Sequence, residues 1–67
     1  MMYCLYMIDN ASWGQKYYMQ KDGFWVNGKR TEDLMRFETE DEAIDWAWTE
    51  NPFRKFGATY HAEKIGE

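Results

Sequence analysis

One segment of this sequence marks both ends of a helix, and no other feature limits the fold as much. The run TEDE has the form of a capping box, in which the Thr39 hydroxyl accepts from the backbone N–H of Glu42 while the Glu42 carboxylate reaches back to the N–H of Thr39. Pro52 ends the helix, because its ring disfavours helical geometry at the residue before it. The sequence therefore predicts one helix over about Glu40–Glu50.

The remaining pattern is typical of β-strands. Aromatic and aliphatic residues over 3–8 predict a first strand, and residues 58–65 predict a last one. Between them, Lys-Asp-Gly separates two short segments, 16–20 and 24–26. Its Asp-Gly pair favours a two-residue type I′ turn, whose central residues both need positive φ. Residues 31–37 fit either a short helical turn or a brief strand.

A two-residue loop at Asp22-Gly23 determines which side chains of the hairpin share a face, because side chains alternate along each strand. One face then belongs to the core and the other to the uncovered side of the sheet. The predicted core face carries Tyr17, Met19, Phe24 and Val26, and the opposite face carries Tyr18, Gln20, Trp25 and Asn27.

The order strand, hairpin, helix, strand indicates the α+β class, with a three- to four-stranded antiparallel sheet and one helix packed on one face. Residues 1–67 form a single domain in this interpretation, near the lower size limit for folding without disulfides, metals or a partner. The core must come largely from four Trp, five Tyr and four Phe residues. One helix cannot cover all of them, so some rings are expected to face solvent or a partner.

Side chains suited to catalysis or metal binding are scarce. The chain has one cysteine, Cys4, and one histidine, His61, which excludes an internal disulfide and argues against a structural zinc site. Cys4 lies in an apolar strand, where a buried and unreactive thiol is the usual finding. The sequence also has no glycine-rich phosphate loop. We expect no catalytic residue, no metal and no cofactor.

The opening MMYCLYMI is apolar, but it is too short to cross a membrane or to form a signal peptide. The single cysteine suits a reducing compartment. We therefore expect a cytoplasmic protein that does not enter a membrane.

The predicted helix is strongly acidic and contains no basic residue, in a chain of net charge −4. At about 100° per residue, its apolar stripe runs through the two alanines and Ile44 to Trp48, which places Trp48 in the core or at its edge and Trp46 on the outer side. An aromatic ring bordered by carboxylates has the make-up of an interface hot spot that meets a basic rim. The predicted partner-binding residues are Glu42, Asp45, Trp46 and Glu50.

Two other interpretations use the same residues differently. In the first, Trp46 covers an edge of the core, against Phe53, Phe56 or the chain termini, and the acids form a solvated face. In the second, the uncovered sheet face binds single-stranded nucleic acid or a second copy of the chain, because aromatic rings beside bases suit stacking and self-association. The residues of that face are Tyr6, Tyr18, Trp25, Lys16 and Lys21. Direct nucleic-acid binding is disfavoured by the acidic total, because phosphate contacts need positive charge.

The segment Phe37–Ala43, of the form F-x-T-x-x-E-A, opens a capped acidic helix after a hairpin. In length, element order and this segment, the chain resembles the small podophage inhibitors of host RNA polymerase. The resemblance implies stoichiometric inhibition of a host enzyme by binding, without catalysis. It assigns no contact residues, because Trp46 and the longer apolar first strand depart from that family. Phage anti-defence proteins share the same general make-up.

These observations together predict a non-enzymatic binding protein of phage or mobile-element origin. Its partner is expected to be a host protein with a basic surface, such as a nucleic-acid enzyme or a defence complex, that meets the acidic helix. The second hypothesis is a nucleic-acid-binding or dimeric accessory module that uses the aromatic sheet face.

Overall fold

The computed structural model describes residues 2–66 and has a four-stranded antiparallel sheet with one helix on one of its faces, which confirms the α+β class. The strands are β1 (Tyr3–Asp9), β2 (Gln15–Met19), β3 (Trp25–Val26) and β4 (Ala58–Lys64), and the helix is α1 (Glu40–Thr49). The strand order β3-β2-β1-β4 places β1 and β2 inside the sheet and leaves β3 and β4 as its edges. Within residues 2–66, no helix has the length and apolar character needed to cross a membrane.

The β2–β3 hairpin has a three-residue loop, residues 21–23, so the predicted two-residue loop is wrong. The N–H of Gln20 donates to the carbonyl of Phe24 at 3.0 Å, and the N–H of Gly23 donates back to the carbonyl of Gln20 at 2.9 Å. Gly23 has a φ of 91°, whereas Asp22 keeps a negative φ and accepts from the N–H of Phe24 through its side chain at 3.0 Å. A loop with only one residue at positive φ is the three-residue hairpin connection, with glycine at its last position.

The extra loop residue exchanges the faces of β3, because a shift of one residue turns every side chain to the other side. Trp25 pairs with Met19 and faces the helix, where the prediction placed it on the uncovered face. Val26 pairs with Tyr18 on the opposite side, and Phe24 is 56% exposed at the turn, so both were wrongly assigned to the core. The faces predicted for β2 itself are correct.

Two clusters of buried side chains lie on opposite faces of the sheet. The cluster between sheet and helix contains Leu5, Met7, Met19, Phe37, Ala43, Ala47 and Tyr60. The cluster on the other face contains Cys4, Tyr18, Leu34 and Ile65. The second face is therefore partly covered, since chain outside the four strands contributes Leu34 and Ile65.

The segment 31–37 combines the two conformations that its sequence allowed. It begins with a 3-10 turn, Thr31–Asp33, and then forms isolated bridges from Leu34 to Gln20 and from Phe37 to Tyr3. The bridges extend the sheet beyond β2 and bring both apolar side chains into the core clusters.

Helix α1 begins at the predicted cap and ends one residue before the predicted end. The Thr39 hydroxyl accepts from the N–H of Glu42 at 3.1 Å. The Glu42 carboxylate accepts from the N–H of Glu38 at 3.3 Å and not from that of Thr39, so the return bond of the capping box is displaced by one residue. Ala43 and Ala47 are fully buried beneath the helix, and their small side chains set its closest approach to the sheet.

Replacing Thr39 with alanine removes the acceptor for the N–H of Glu42. We expect Thr39→Ala to lower the free energy of unfolding by about 1 kcal/mol, the usual value of such a cap, as measured by urea denaturation followed by circular dichroism. Thr39→Ser keeps the hydroxyl and is expected to retain most of that stability. An equal loss in both variants would argue against the capping role.

Candidate functional surfaces

The prediction that Trp46 lies on the outer side of α1 is wrong, and Trp48, predicted in the core or at its edge, is the more exposed of the two rings. Trp46 is partly buried against the main core, and its ring lies 6.2 Å from that of Phe37, measured between centroids. Trp48 is 52% exposed and meets Tyr60 edge-on at 5.3 Å. Trp46 thus covers an edge of the core, as the alternative interpretation had it, although against Phe37 and not against Phe53 or Phe56.

The position of the alanines explains this difference. The buried side of α1 is centred between Ala43 and Ala47, both with no exposed surface. Measured from that centre, Ile44 and Trp46 lie about 80° to either side, whereas Trp48 lies about 120° away. The prediction placed the centre too near Ile44, because it treated the larger Trp48 as part of the apolar stripe.

The predicted partner-binding acids lie on the outer surface of α1. Glu42, Asp45 and Glu50 are all exposed, and Glu42 also caps the N–H of Glu38. Within residues 2–66, the ion pairs involve Lys16, Lys29 and Lys55 and leave Asp45 and Glu50 without a basic partner. The helix therefore presents uncompensated negative charge.

The acidic and aromatic neighbourhood expected around Trp46 exists instead around Trp48. Helical geometry places Asp45, three residues earlier, and Asp41, seven residues earlier, on the same side as the exposed ring. Both acids are exposed. We call this set, Asp41, Asp45 and Trp48, the acidic helix face.

Trp48 also borders a groove of about 540 Å³ that continues along residues 54–58. Arg54 forms one wall, because its Nη1 donates to the carbonyl of Trp48 at 2.7 Å and its guanidinium carbon lies 6.0 Å from the Trp48 ring centroid. Phe56 projects fully into solvent beside it. We call this feature the aromatic groove. The run FRKF, with two aromatic and two basic residues, is the sequence feature that points to this groove. That it lies beside Trp48 is visible only in the folded structure.

Two further aromatic side chains adjoin the start of this segment. Phe53 stacks on Phe24 of the hairpin turn, with ring centroids 5.5 Å apart and planes inclined by 26°. Each of the two still has more than half of its surface exposed. Exposed aromatic surface therefore continues from the end of α1 to the β2–β3 turn.

Asp9 ties the aromatic groove to the end of β1. Its side chain is buried and accepts from Lys55 Nζ at 2.5 Å, from Ser12 Oγ at 3.0 Å and from the N–H of Ala11 at 3.1 Å. The hydrogen bond from Lys55 is the main reason that the pKa of Asp9 is lowered and that of Lys55 is raised. The sequence analysis did not single out Asp9.

The sheet face opposite α1 brings together three of the five residues predicted for it. Lys16 Nζ lies 4.1 Å from the ring centroid of Tyr6, and the rings of Tyr6 and Tyr18 are 5.7 Å apart. His61, which the prediction omitted, stacks on Tyr6 at 5.2 Å. Tyr18 is only 7% exposed, so Tyr6 and His61 form most of the accessible aromatic surface.

The other two predicted residues lie elsewhere. Trp25 is on the helix side of the sheet, with its ring 5.8 Å from that of Tyr60. Lys21 lies in the hairpin loop, and its Nζ donates to the carbonyl of Glu32 at 3.2 Å. Both displacements follow from the three-residue loop.

Glu63 compensates the positive charge of this face. Its carboxylate accepts from Lys29 at 2.6 Å and from Lys16 at 3.4 Å. The Lys29 hydrogen bond is the main cause of the lowered pKa of Glu63. The two lysines are therefore already paired within the protein.

Cys4 and His61 lie on this same face but do not form a reactive arrangement. Cys4 is fully buried, and burial raises the pKa of its thiol, which lowers the thiolate fraction. The Nε2 of His61 lies 2.9 Å from Thr59 Oγ1. The described part of the chain contains no group of three or more side chains placed to hold a metal ion.

Comparisons with known proteins give no relative from which a role could be transferred. No protein-family model matches the chain, and no curated protein or solved structure matches it.

Asp9→Asn removes the charge that Lys55 contacts while keeping the size of the side chain. Because the pKa of Asp9 is lowered in the fold, its ionised form adds stability above its ordinary pKa of 3.8, and this contribution is lost as the pH falls through the lower folded value. We expect the variant to be less stable than the parent at pH 7, and the difference to shrink as the pH falls below that ordinary value. Urea denaturation across this pH range measures it.

Asp45→Asn is the matched control, since Asp45 is an exposed aspartate without a basic partner in the described chain. Its stability difference from the parent is expected to stay small at every pH. A similar pH profile in both variants would contradict the role given to Asp9.

Proposed function

We propose that this protein is a non-enzymatic binding protein, and that it docks on a basic surface of a partner protein through the acidic helix face and the aromatic groove. The observation that carries the proposal is the half-exposed Trp48 at the junction of these two surfaces. A large ring at such a junction is suited to fill a pocket of the partner while the charges around it meet a complementary rim.

The extent of exposed aromatic surface supports this assignment. Trp48, Phe53 and Phe56 each have more than half of their surface exposed, within nine residues of one another in the sequence. Soluble proteins of this size seldom leave such a cluster uncovered, and large exposed apolar patches mark interaction sites. Scattered single apolar residues would not carry the same argument.

The charge distribution defines the kind of partner. The acids of α1 face solvent, and the described lysines that form ion pairs do so with Asp9 and Glu63 and not with an acid of α1. A partner with clustered Lys and Arg side chains would gain attraction from these acids and would associate faster at low salt. Arg54, whose guanidinium carbon lies 6.0 Å from the Trp48 ring centroid, adds a positive charge that would help to fix the orientation of the partner.

The proposed partner class is a host nucleic-acid enzyme or defence complex, and the proposed effect is inhibition in the cytoplasm. Proteins that hold nucleic acid carry basic surfaces, and an acidic helix can occupy such a surface in place of the phosphate backbone. The resemblance to podophage polymerase inhibitors supports the same class of action. A phage or mobile-element origin belongs to this proposal.

The sheet face supports the alternative, direct nucleic-acid binding, less well. A stacking surface needs exposed rings and free positive charge. Here Tyr18 is buried, Trp25 faces the helix, and Lys16 and Lys29 are paired with Glu63.

Trp48→Ala tests the proposed anchor. Affinity capture from a nuclease-treated bacterial lysate identifies the partner, and titration of the purified partner then gives its dissociation constant. We expect Trp48→Ala to weaken binding by about thirtyfold or more, the loss typical of a hot-spot residue. Trp13→Ala is the matched control, since Trp13 is 99% exposed at the turn after β1, and it should leave the affinity within about twofold. Equal effects of the two variants would contradict the proposal.

The double variant Asp41→Lys, Asp45→Lys tests the electrostatic part separately. We expect a slower association rate and a weaker dependence of that rate on salt, with circular dichroism unchanged. Glu32→Lys reverses an exposed acid outside α1 and is expected to have a smaller effect. Association rates of the double variant that match the parent at low salt would remove the acidic helix face from the interface.

A titration with single-stranded oligonucleotides at low salt tests the alternative. The NMR signals of Tyr6 and His61 are expected to show no saturable shift, because the lysines described beside these rings, Lys16 and Lys29, are already paired with Glu63. A saturable shift that weakens as salt is added would instead support the nucleic-acid interpretation.

A further inference from the structure

Strand β4 has an outer edge with which no other strand of residues 2–66 pairs. It is the last strand in the order β3-β2-β1-β4, and all seven of its residues pair with β1 on the inner side. The opposite edge of the sheet, β3, has only two residues. The one long open edge of the described sheet is therefore that of β4.

The hydrogen bonds of Tyr3 show which backbone groups point outward from β4. The N–H and C=O of Tyr3 both bond to Phe37, on the side of β1 away from β4. Because these groups alternate in direction along a strand, those of Tyr6 point toward β4, and Tyr6 and His61 form a hydrogen-bonded pair. The backbone groups of Tyr60 and Ala62 must then point outward.

The outer edge carries few of the features that prevent strands from pairing with other chains. Its sequence, ATYHAEK, contains no proline, and its pairing with β1 is continuous without a bulge. Its charged residues, Glu63 and Lys64, stand at one end, and Glu63 is held by Lys16 and Lys29. Edges of this length are usually shortened, bulged or charged along their whole length.

We propose that β4 pairs with β4 of a second copy of this chain, in antiparallel orientation, to form a continuous eight-stranded sheet. The twofold axis passes through His61, which lies opposite His61 of the other copy. This register places Tyr60 opposite Ala62 at its centre, whereas at the end of β4 the N–H of Ala58 is already bonded to the carbonyl of Lys55 at 3.3 Å. The inward-directed backbone of His61 makes the central pair a non-hydrogen-bonded one, with Cα atoms about 4.5 Å apart.

The charges of β4 favour a second copy in this register. Lys64 lies opposite Ala58, and Glu63 lies opposite Thr59, so no two like charges face each other at neutral pH. The outward N–H and C=O groups of Tyr60 and Ala62 each find a partner. Pairing of this kind uses no residue of the acidic helix face and shares only Ala58, at the first position of β4, with the aromatic groove. Its test is therefore separate from that of the proposed function.

Disulfide trapping tests the register. In a Cys4→Ala background, His61→Cys places two thiols at the central pair, where the Cα separation suits a disulfide. The matched control is Thr59→Cys, on the same face of β4 but opposite position 63 of the other copy. We expect mild oxidation to cross-link the His61→Cys variant at least about tenfold faster than the control, because pairing raises the effective thiol concentration. Equal rates, with both variants folded, overturn the register.

N-methylation of Ala62, introduced by chemical synthesis, tests the edge itself. The methyl group removes an outward donor and blocks strand pairing but leaves the bonds to β1 and the side chain unchanged. Sedimentation of the unmodified synthetic chain is expected to give twice the 8.1 kDa of one chain as the concentration is raised, and the methylated chain should remain a monomer. A monomer in both cases at about 1 mM, or a dimer in both, overturns the proposal.

Discussion

The pairing of β1 on both of its edges is the constraint on which the rest of the structure depends. All seven of its residues pair with β4, and Tyr6 to Asp9 also pair with β2. Because β4 is far from β1 in the sequence, their pairing forms only when these distant segments meet, and closing a loop of that length costs entropy before any contact offsets it. The core under α1, the opposite aromatic face and the anchor of the groove all take their positions from this strand.

The type and order of the elements could be predicted because each follows from local chemistry. The Thr39 cap, the break at Pro52 and the alternating apolar strands are all visible within a few residues. The hairpin loop could not be predicted to the residue, because Asp-Gly suits both a two-residue loop and the last two positions of a three-residue loop. Trp25 packs against Tyr60, which is far away in the sequence, and only the three-residue loop turns Trp25 toward it. The residues near the hairpin do not indicate this contact.

The candidate surfaces were less predictable, since they depend on how deeply each side chain is buried and on contacts between residues far apart in the sequence. Acidity of α1 was evident from composition, but the choice between Trp46 and Trp48 as the exposed ring depended on where the helix approaches the sheet most closely. Ala43 and Ala47 determine where that approach is closest, because they are the fully buried residues of α1. The predicted stripe extended beyond them to Trp48. The pair between Asp9 and Lys55 joins residues 46 positions apart, so only the assembled sheet brings them together.

Tyr60 contacts three separate parts of the molecule. Its ring contacts Trp25 from the hairpin and Trp48 from the helix, and its hydroxyl accepts from the N–H of Lys55 at 2.8 Å. A ligand that binds to Trp48 therefore contacts a ring whose position is already fixed by the buried Tyr60. Because the Trp48 side chain then loses little conformational entropy on binding, even a complex of modest contact area is expected to be long-lived.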